Sequence, residues 1–303
     1  MTHHLLPHGS HSGYTGRRGS ARGPWRARFL MRTLLSALLV GLLGLVGPVA
    51  GQQSTSPTVP STAALPGADE TTDATALPTH RPDDAALSHV VGDATLLYNR
   101  PDSTAPVRRL PVRTPLQRQG CEAGWCRVRT DDGRTGHVPK AAISNVWIRV
   151  SKAERRVYLY RGPELAATFK ADVGYNTFSD KKRQGSETLR DHWRTPEGTF
   201  YVIRKNPSSS FYKALVLNYP TIADAERGLQ QDLISESEYK SIVEAQRDFR
   251  MPPMGTDLGG WIEIHGEGTG AATTWTQGCV AVRNEDMNRL WPTVKVGTPV
   301  LVE

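Results

Sequence analysis

Short alternations of apolar and polar residues, separated by turn residues, recur from residue 90 to residue 303. This repetition limits the possible fold more than any other feature of the chain. Successive side chains of a strand point to opposite faces, so each such run can bury one face and wet the other. Within residues 90–144 the runs are 96–98, 125–129 and 135–139, with Asp131-Asp132-Gly133 between the last two. An Asp-Gly pair between alternating runs predicts a hairpin, and a short series of such strands predicts a small all-β barrel. Residues 145–303 continue the pattern at 147–150, 157–160, 166–173, 199–204, 214–217, 261–265 and 299–302. Helical periodicity lies mainly between residues 223 and 250, where Ser235 and Glu238 form a capping box ahead of Tyr239, Ile242, Val243 and Gln246. Asn284, followed by Glu285 and Asp286, reads as a further helix start. The fold class expected is mostly β: a small barrel, then a β-rich domain with an inserted helical segment, and no βαβ array.

The chain has 303 residues and a formal charge of +7, which raises the question of nucleic-acid binding. Six arginines lie in residues 1–50, which hold no acid; the other 31 basic residues nearly match the 30 acidic ones. The basicity is therefore local, and no nucleic-acid partner is expected. Residues 34–46 form a 13-residue apolar run behind those arginines. The run suits a signal-peptide core and falls short of the ~20 residues of a membrane span. Residues 1–50 are read as an N-terminal extension and signal peptide, so the expected location is the periplasm or cell envelope. Residues 51–89 are rich in Ser, Thr, Pro and Ala and read as a disordered linker. Residues 90–144 are then the barrel and 145–303 the larger domain.

Cys121 and Cys126 lie close enough for a hairpin to bridge them, and an oxidising compartment would let the bond persist. Cys279 is left over, fourteen positions after His265. A cysteine acts as a nucleophile through its thiolate, and an imidazole within hydrogen-bond reach can take its proton. Residues 261–264 alternate toward His265, and Gly278 permits a sharp turn before Cys279. Glu263 reads as structural. No His-Glu-x-x-His or paired Cys-x-x-Cys occurs, so no metal or other cofactor is expected.

These residues carry a resemblance. His265-Gly266 and Trp275-Thr276-Gln277-Gly278-Cys279-Val280-Ala281-Val282 look like the signature of the L,D-transpeptidase catalytic domain. So do Arg194-Thr195-Pro196-Glu197-Gly198-Thr199-Phe200, Asn218-Tyr219-Pro220 and the run into His265. Gly124-Trp125 with Asp132-Gly133-Arg134-Thr135-Gly136-His137-Val138 resembles the bacterial Src-homology-3-like domain, His137 replacing a usual tryptophan. The first resemblance implies Cys279 as nucleophile, His265 as base and Gly266 as the carbonyl that orients the imidazole. Backbone N–H groups of Gly278 and Cys279 are candidate oxyanion donors. Trp275, Thr276 and Gln277 are candidate substrate contacts.

Two positions depart from the family pattern. Gln277 stands where many members have histidine, and Ala281 where many have arginine, which makes Arg283 and Arg194 candidates for binding a substrate carboxylate. The implied activity is peptidoglycan transpeptidation through a thioester. Hydrolysis of the same bond class, as a carboxypeptidase or amidase, and a non-catalytic wall-binding protein are the alternatives. The second resemblance implies that the barrel binds cell wall or another protein, a purely structural spacer being the alternative, and residues 223–250 are expected to form a lid or cradle over the peptide stem.

Overall fold

The computed structural model describes residues 87–303. The stretch expected as a signal peptide and nearly all of the expected linker lie outside the described residues. The first strand, β1 (Leu87–Val90), begins inside the stretch read as linker, because Leu87 to His89 pair with a later strand.

The barrel adds β2 (Thr95–Tyr98), β3 (Pro106–Leu110), β4 (Pro115–Glu122), β5 (Trp125–Thr130), β6 (Thr135–Pro139) and β7 (Ile143–Ser144). They join in the order β3-β2-β6-β5-β4-β1-β7. The alternation in β5 buries Cys126, Val128 and Thr130 and exposes the residues between. Cys126 and Val128 meet Val90, Leu97, Leu110, Leu116 and Val138 in one apolar core. The Asp-Gly turn closes β5 onto β6, with Gly133 N–H donating to the Thr130 carbonyl at 2.8 Å. Across β4 and β5, Cys121 stands opposite Cys126, and the two form a disulfide.

The larger domain begins with β8 (Val146–Ser151), β9 (Arg156–Arg161), β10 (Glu164–Lys170) and the short β11 (Val173–Gly174). The hairpin β12 (Gly198–Ser209) and β13 (Tyr212–Leu217) follows, then β14 (Glu263–His265), β15 (Thr274–Thr276), β16 (Val280–Ala281) and β17 (Pro299–Val302). Eight of these form one mixed sheet, β10-β9-β8-β17-β12-β13-β14-β16, while β11 pairs with β15. The core includes Ile148, Val150, Phe200, Leu215, Tyr219, Ile264, Val280 and Leu290. The run expected over 166–173 is interrupted: β10 ends at Lys170, and Asp172 bridges to Ala281 before β11. Trp261 also falls outside β14, with a φ of 54°.

The helical region is two helices, α1 (Ile222–Gln230) and α2 (Glu236–Arg247). Each starts on a capping box, Thr221 with Asp224 and Ser235 with Glu238. Ala225, Ile234, Ile242 and Leu258 fill the space between them. A third helix, α3 (Asn284–Leu290), has Arg283 at its N-cap. Asn284 instead points its side chain at the Glu267 loop, accepting from Glu267 N–H at 2.8 Å. Among the described residues no helix is long and apolar enough to cross a membrane.

Candidate active site

Strand β14 is the pivot of the site. It pairs antiparallel with β13 and parallel with β16, in register Ile264 to Val280 and His265 to Ala281. This register carries the chain back from the loop so that Cys279, just ahead of β16, returns beside β14. Cys279 and His265 line one cavity of about 500 Å³, together with Lys181, Trp261, Trp275 and Gln277. Two residues fourteen apart in sequence are thus made neighbours by a parallel strand pair.

The imidazole is fixed from two sides. Its Nδ1 lies 2.6 Å from the Gly266 carbonyl, and Phe211 stacks on the ring at 4.5 Å. A carbonyl oxygen can only accept, so Nδ1 carries the proton and Nε2 keeps its lone pair. Burial lowers the pKa of His265, outweighing the Gly266 carbonyl and the charges of Asp172 and Glu267, which raise it. The ring is therefore neutral at neutral pH. Burial also pushes the Cys279 thiol up to about 12, the Glu263 carboxyl adding to the rise and Lys181 opposing it. The resting pair is a thiol and a neutral base, not an ion pair.

The turn before Cys279 depends on Gly278, whose φ is +135°. A side chain there would place its Cβ 2.7 Å from the Arg194 carbonyl. Thr276 ties this turn: its hydroxyl donates to the Cys279 carbonyl at 2.6 Å and accepts from Gly278 N–H at 3.2 Å. Gly278 N–H, expected as an oxyanion donor, is thus already engaged, because the threonine hydroxyl lies within the turn. The Cys279 thiol donates to the Trp261 carbonyl at 3.3 Å.

The remaining expected contacts divide. Trp275, Thr276 and Gln277 line the cavity; Arg283 and Arg194 do not. Arg283 pairs with Glu285 at 2.6 Å and Asp286 at 3.2 Å at the start of α3. Arg194 is held by the Asp191 carboxylate and by the Asp191 carbonyl at 2.6 Å. Both guanidiniums are occupied by acids close in sequence, which motif spacing does not reveal. No residue of α1 or α2 lines the cavity. Their apolar faces are covered by each other and by Leu258. Glu263 is buried in β14, and that burial raises its pKa against the pull of Arg204.

Three residues were not anticipated. Asp172 is fully buried and accepts from Thr269 N–H at 2.6 Å, Thr273 N–H at 2.8 Å and Trp275 Nε1 at 2.9 Å. Burial acts to raise its pKa, but these hydrogen bonds prevail and hold it below the usual carboxylate value. Asp172 therefore pins the loop between the histidine and the cysteine. Its signal in the sequence was an acid, two positions after Lys170, inside the run expected as a β strand over 166–173. Phe211 and Lys181, both in the cavity wall, carried no comparable signal.

The sequence profile of the L,D-transpeptidase catalytic domain matches residues 145–302, and that of the bacterial SH3 domain matches residues 91–145. No curated protein sequence matches the chain. Among solved structures, an L,D-transpeptidase from Xylanimonas cellulosilytica is similar, with 18% identity, 53% of this chain and 61% of that chain covered, and a TM-score of 0.32. Bd1075 of Bdellovibrio bacteriovorus has 23% identity over 53% of this chain and 48% of its own, TM-score 0.35. An L,D-transpeptidase from Mycobacterium smegmatis has 13% identity over 73% of this chain and 83% of its own, TM-score 0.32. The chain thus spans less than two thirds of the Xylanimonas and Bdellovibrio structures.

Proposed function

The chain belongs to the L,D-transpeptidase catalytic-domain family, and from that premise we propose that it transfers peptidoglycan stem peptides through a thioester on Cys279. The observation that carries this reading is the shared cavity of Cys279 and a neutral His265 whose Nδ1–H is held by Gly266. That arrangement leaves Nε2 as the base.

In the proposed reaction Sγ attacks the carbonyl between the third residue, at its L-centre, and the terminal D-alanine of a tetrapeptide stem. The thiol proton passes to Nε2 as the S–C bond forms. The C–N bond then breaks, and D-alanine leaves with that proton on its amine. An amine of a neighbouring stem attacks the thioester, gives its proton to Nε2, and the thiol is restored. Because the free thiol is only weakly acidic, proton removal accompanies attack and does not precede it. The developing oxyanion takes the Cys279 N–H, since Gly278 N–H is bound to Thr276. The site of action is the cell envelope, with the SH3-like barrel contributing affinity for the wall.

The test is incubation of the protein with purified tetrapeptide stems, followed by mass analysis. Cross-linked dimers with released D-alanine are expected, and none with Cys279→Ala. Trimmed tripeptides alone would replace transfer by hydrolysis; unchanged stems would reject the reading.

A further inference from the structure

An ammonium removed from water is unfavourable unless oxygen acceptors replace its hydration. Lys152, 2% exposed, meets this demand with Glu197 Oε1 at 2.7 Å and the Ser179 carbonyl at 2.8 Å. Half-buried Lys205 does so with the carbonyls of Trp291 at 2.5 Å and Val294 at 2.7 Å. Lys181 is equally buried, at 2%, yet its one hydrogen bond is to the His192 carbonyl at 3.5 Å. Among the described residues it has no ion-pair partner. Adjacent Asp180 is turned elsewhere, accepting from Glu197 N–H at 2.9 Å and lying 3.8 Å from Arg227.

Nor is the lysine loose. Its carbonyl accepts from Arg227 Nη2 at 3.1 Å, and Gln184 N–H donates to the Asp257 backbone carbonyl at 2.7 Å. Gly259, with a φ of +86°, roofs the side chain: a Cβ there would strike Gln184 Oε1 and lie 3.1 Å from Lys181 Cε. A clamped, under-coordinated ammonium therefore stands in the wall of the cavity that holds Cys279 and His265. Among the described residues, no basic side chain other than Lys181 and His265 lines that cavity, Arg194 and Arg283 being paired outside it. Burial lowers the pKa of Lys181 to about 8, with the nearby Cys279 acting the other way, so most of the ammonium stays charged at neutral pH.

We propose that Lys181 is the carboxylate receptor of the cleft, holding an acid group of the acyl donor while the donor's carbonyl carbon lies at Cys279. The inference rests on the cleft being the acyl-donor site and narrows its ligands to peptides with a carboxylate beside the reacting amide. The carboxylate supplies the acceptors that Lys181 lacks, and the neutral analogue leaves the ammonium stranded.

The test compares alkylation of Cys279 by iodoacetate and by iodoacetamide, which form the same C–S bond and release the same iodide but differ in charge. The wild-type protein should favour iodoacetate beyond the ratio found for free cysteine. Lys181→Met should lower the iodoacetate-to-iodoacetamide ratio by about tenfold or more, and Lys181→Arg should keep most of it. An unchanged ratio overturns the proposal. Equal losses with both reagents also overturn it, making the lysine a partner of the thiolate. Should Lys181→Met fail to fold, the wild-type protein still decides: N-acetyl-D-alanine should protect Cys279 from iodoacetamide better than its amide does. Equal protection rejects a carboxylate receptor. Alkylation needs no turnover, so this failure is distinguishable from absence of transfer activity.

Discussion

A histidine and a glutamine sit in the same cavity wall, and they are not equivalent. His265 has a fixed tautomer and a free Nε2; Gln277 has no group that can take a proton near neutral pH. His265→Gln should lower turnover by roughly 10³-fold with little change in substrate affinity, because a nucleophile without its base fails as a unit. Gln277→Ala should lose far less. Turnover and stem-peptide binding of both folded variants check this; comparable losses would place the base elsewhere. The motif residues Cys279, His265 and Gly266, singled out in the sequence through the family resemblance, do come together: the first two line one cavity, and the Gly266 carbonyl lies 2.6 Å from Nδ1. The places of Lys181 and Asp172 in the site were not legible, since burial and the partners that Asp172 finds, or that Lys181 lacks, are set by residues distant in sequence.

Between elements, one side chain does more than its position on a helix suggests. Gln246 falls on the buried stripe of α2 with Ile242 and Val243, where periodicity alone asks for an apolar residue. It is polar because the chain beside it leaves groups to satisfy. Its Nε2 donates to the carbonyls of Asn218 at 2.5 Å and Pro220 at 2.6 Å, and its Oε1 accepts from Asn218 Nδ2 at 2.8 Å. Asn218 Oδ1 in turn accepts from Tyr201 N–H at 2.8 Å, so the network joins α2 to β12 and to the exit of β13. Gln246→Leu keeps the volume but strands these buried groups. It should destabilise the protein by about 2–4 kcal/mol, read from denaturant midpoints. A change within a few tenths would show that water replaces the amide. The same pair of helices explains why the helical signal was read as one segment: the capping box at Ser235 was visible, but the break before it turns on Asp232 at a φ of 55°.

Across the whole described unit, barrel and larger domain are joined by specific contacts. Gly92 N–H donates to the Val296 carbonyl at 2.8 Å, Lys295 Nζ to the Ala141 carbonyl at 2.9 Å, and the Arg113 guanidinium lies 3.9 Å over the Tyr201 ring. His89 of β1 lies near this joint, in a groove with Trp147 and Leu301. Burial lowers its pKa to about 4, and burial lowers that of His265 as well. Both imidazoles bind protons more readily in the unfolded chain. Their contribution to stability is therefore present above the ordinary histidine value of about 6.5 and is lost as pH falls below it, for His89 toward about 4. Glu263, with a raised pKa, acts in the opposite sense. The urea midpoint should be lower at pH 5 than at pH 7, and His89→Leu should narrow that gap. A gap of the same size in His89→Leu would sink the assignment to His89.

Local rules were enough for the class of fold, for most strands and for the cysteine–histidine pair. Alternation, an Asp-Gly turn and capping residues are written within a few positions of one another, and the cysteine–histidine pair, fourteen positions apart, is marked by adjacent glycines and a family motif. Tertiary structure decided what the cleft contains. The parallel pairing of β14 with β16 brings Cys279 back beside His265, and neighbouring acids occupy Arg194 and Arg283. Lys181, buried, stands in the wall of the cavity that holds the thiol. Charge is visible in a sequence, but whether that charge is already satisfied depends on what the fold packs against it.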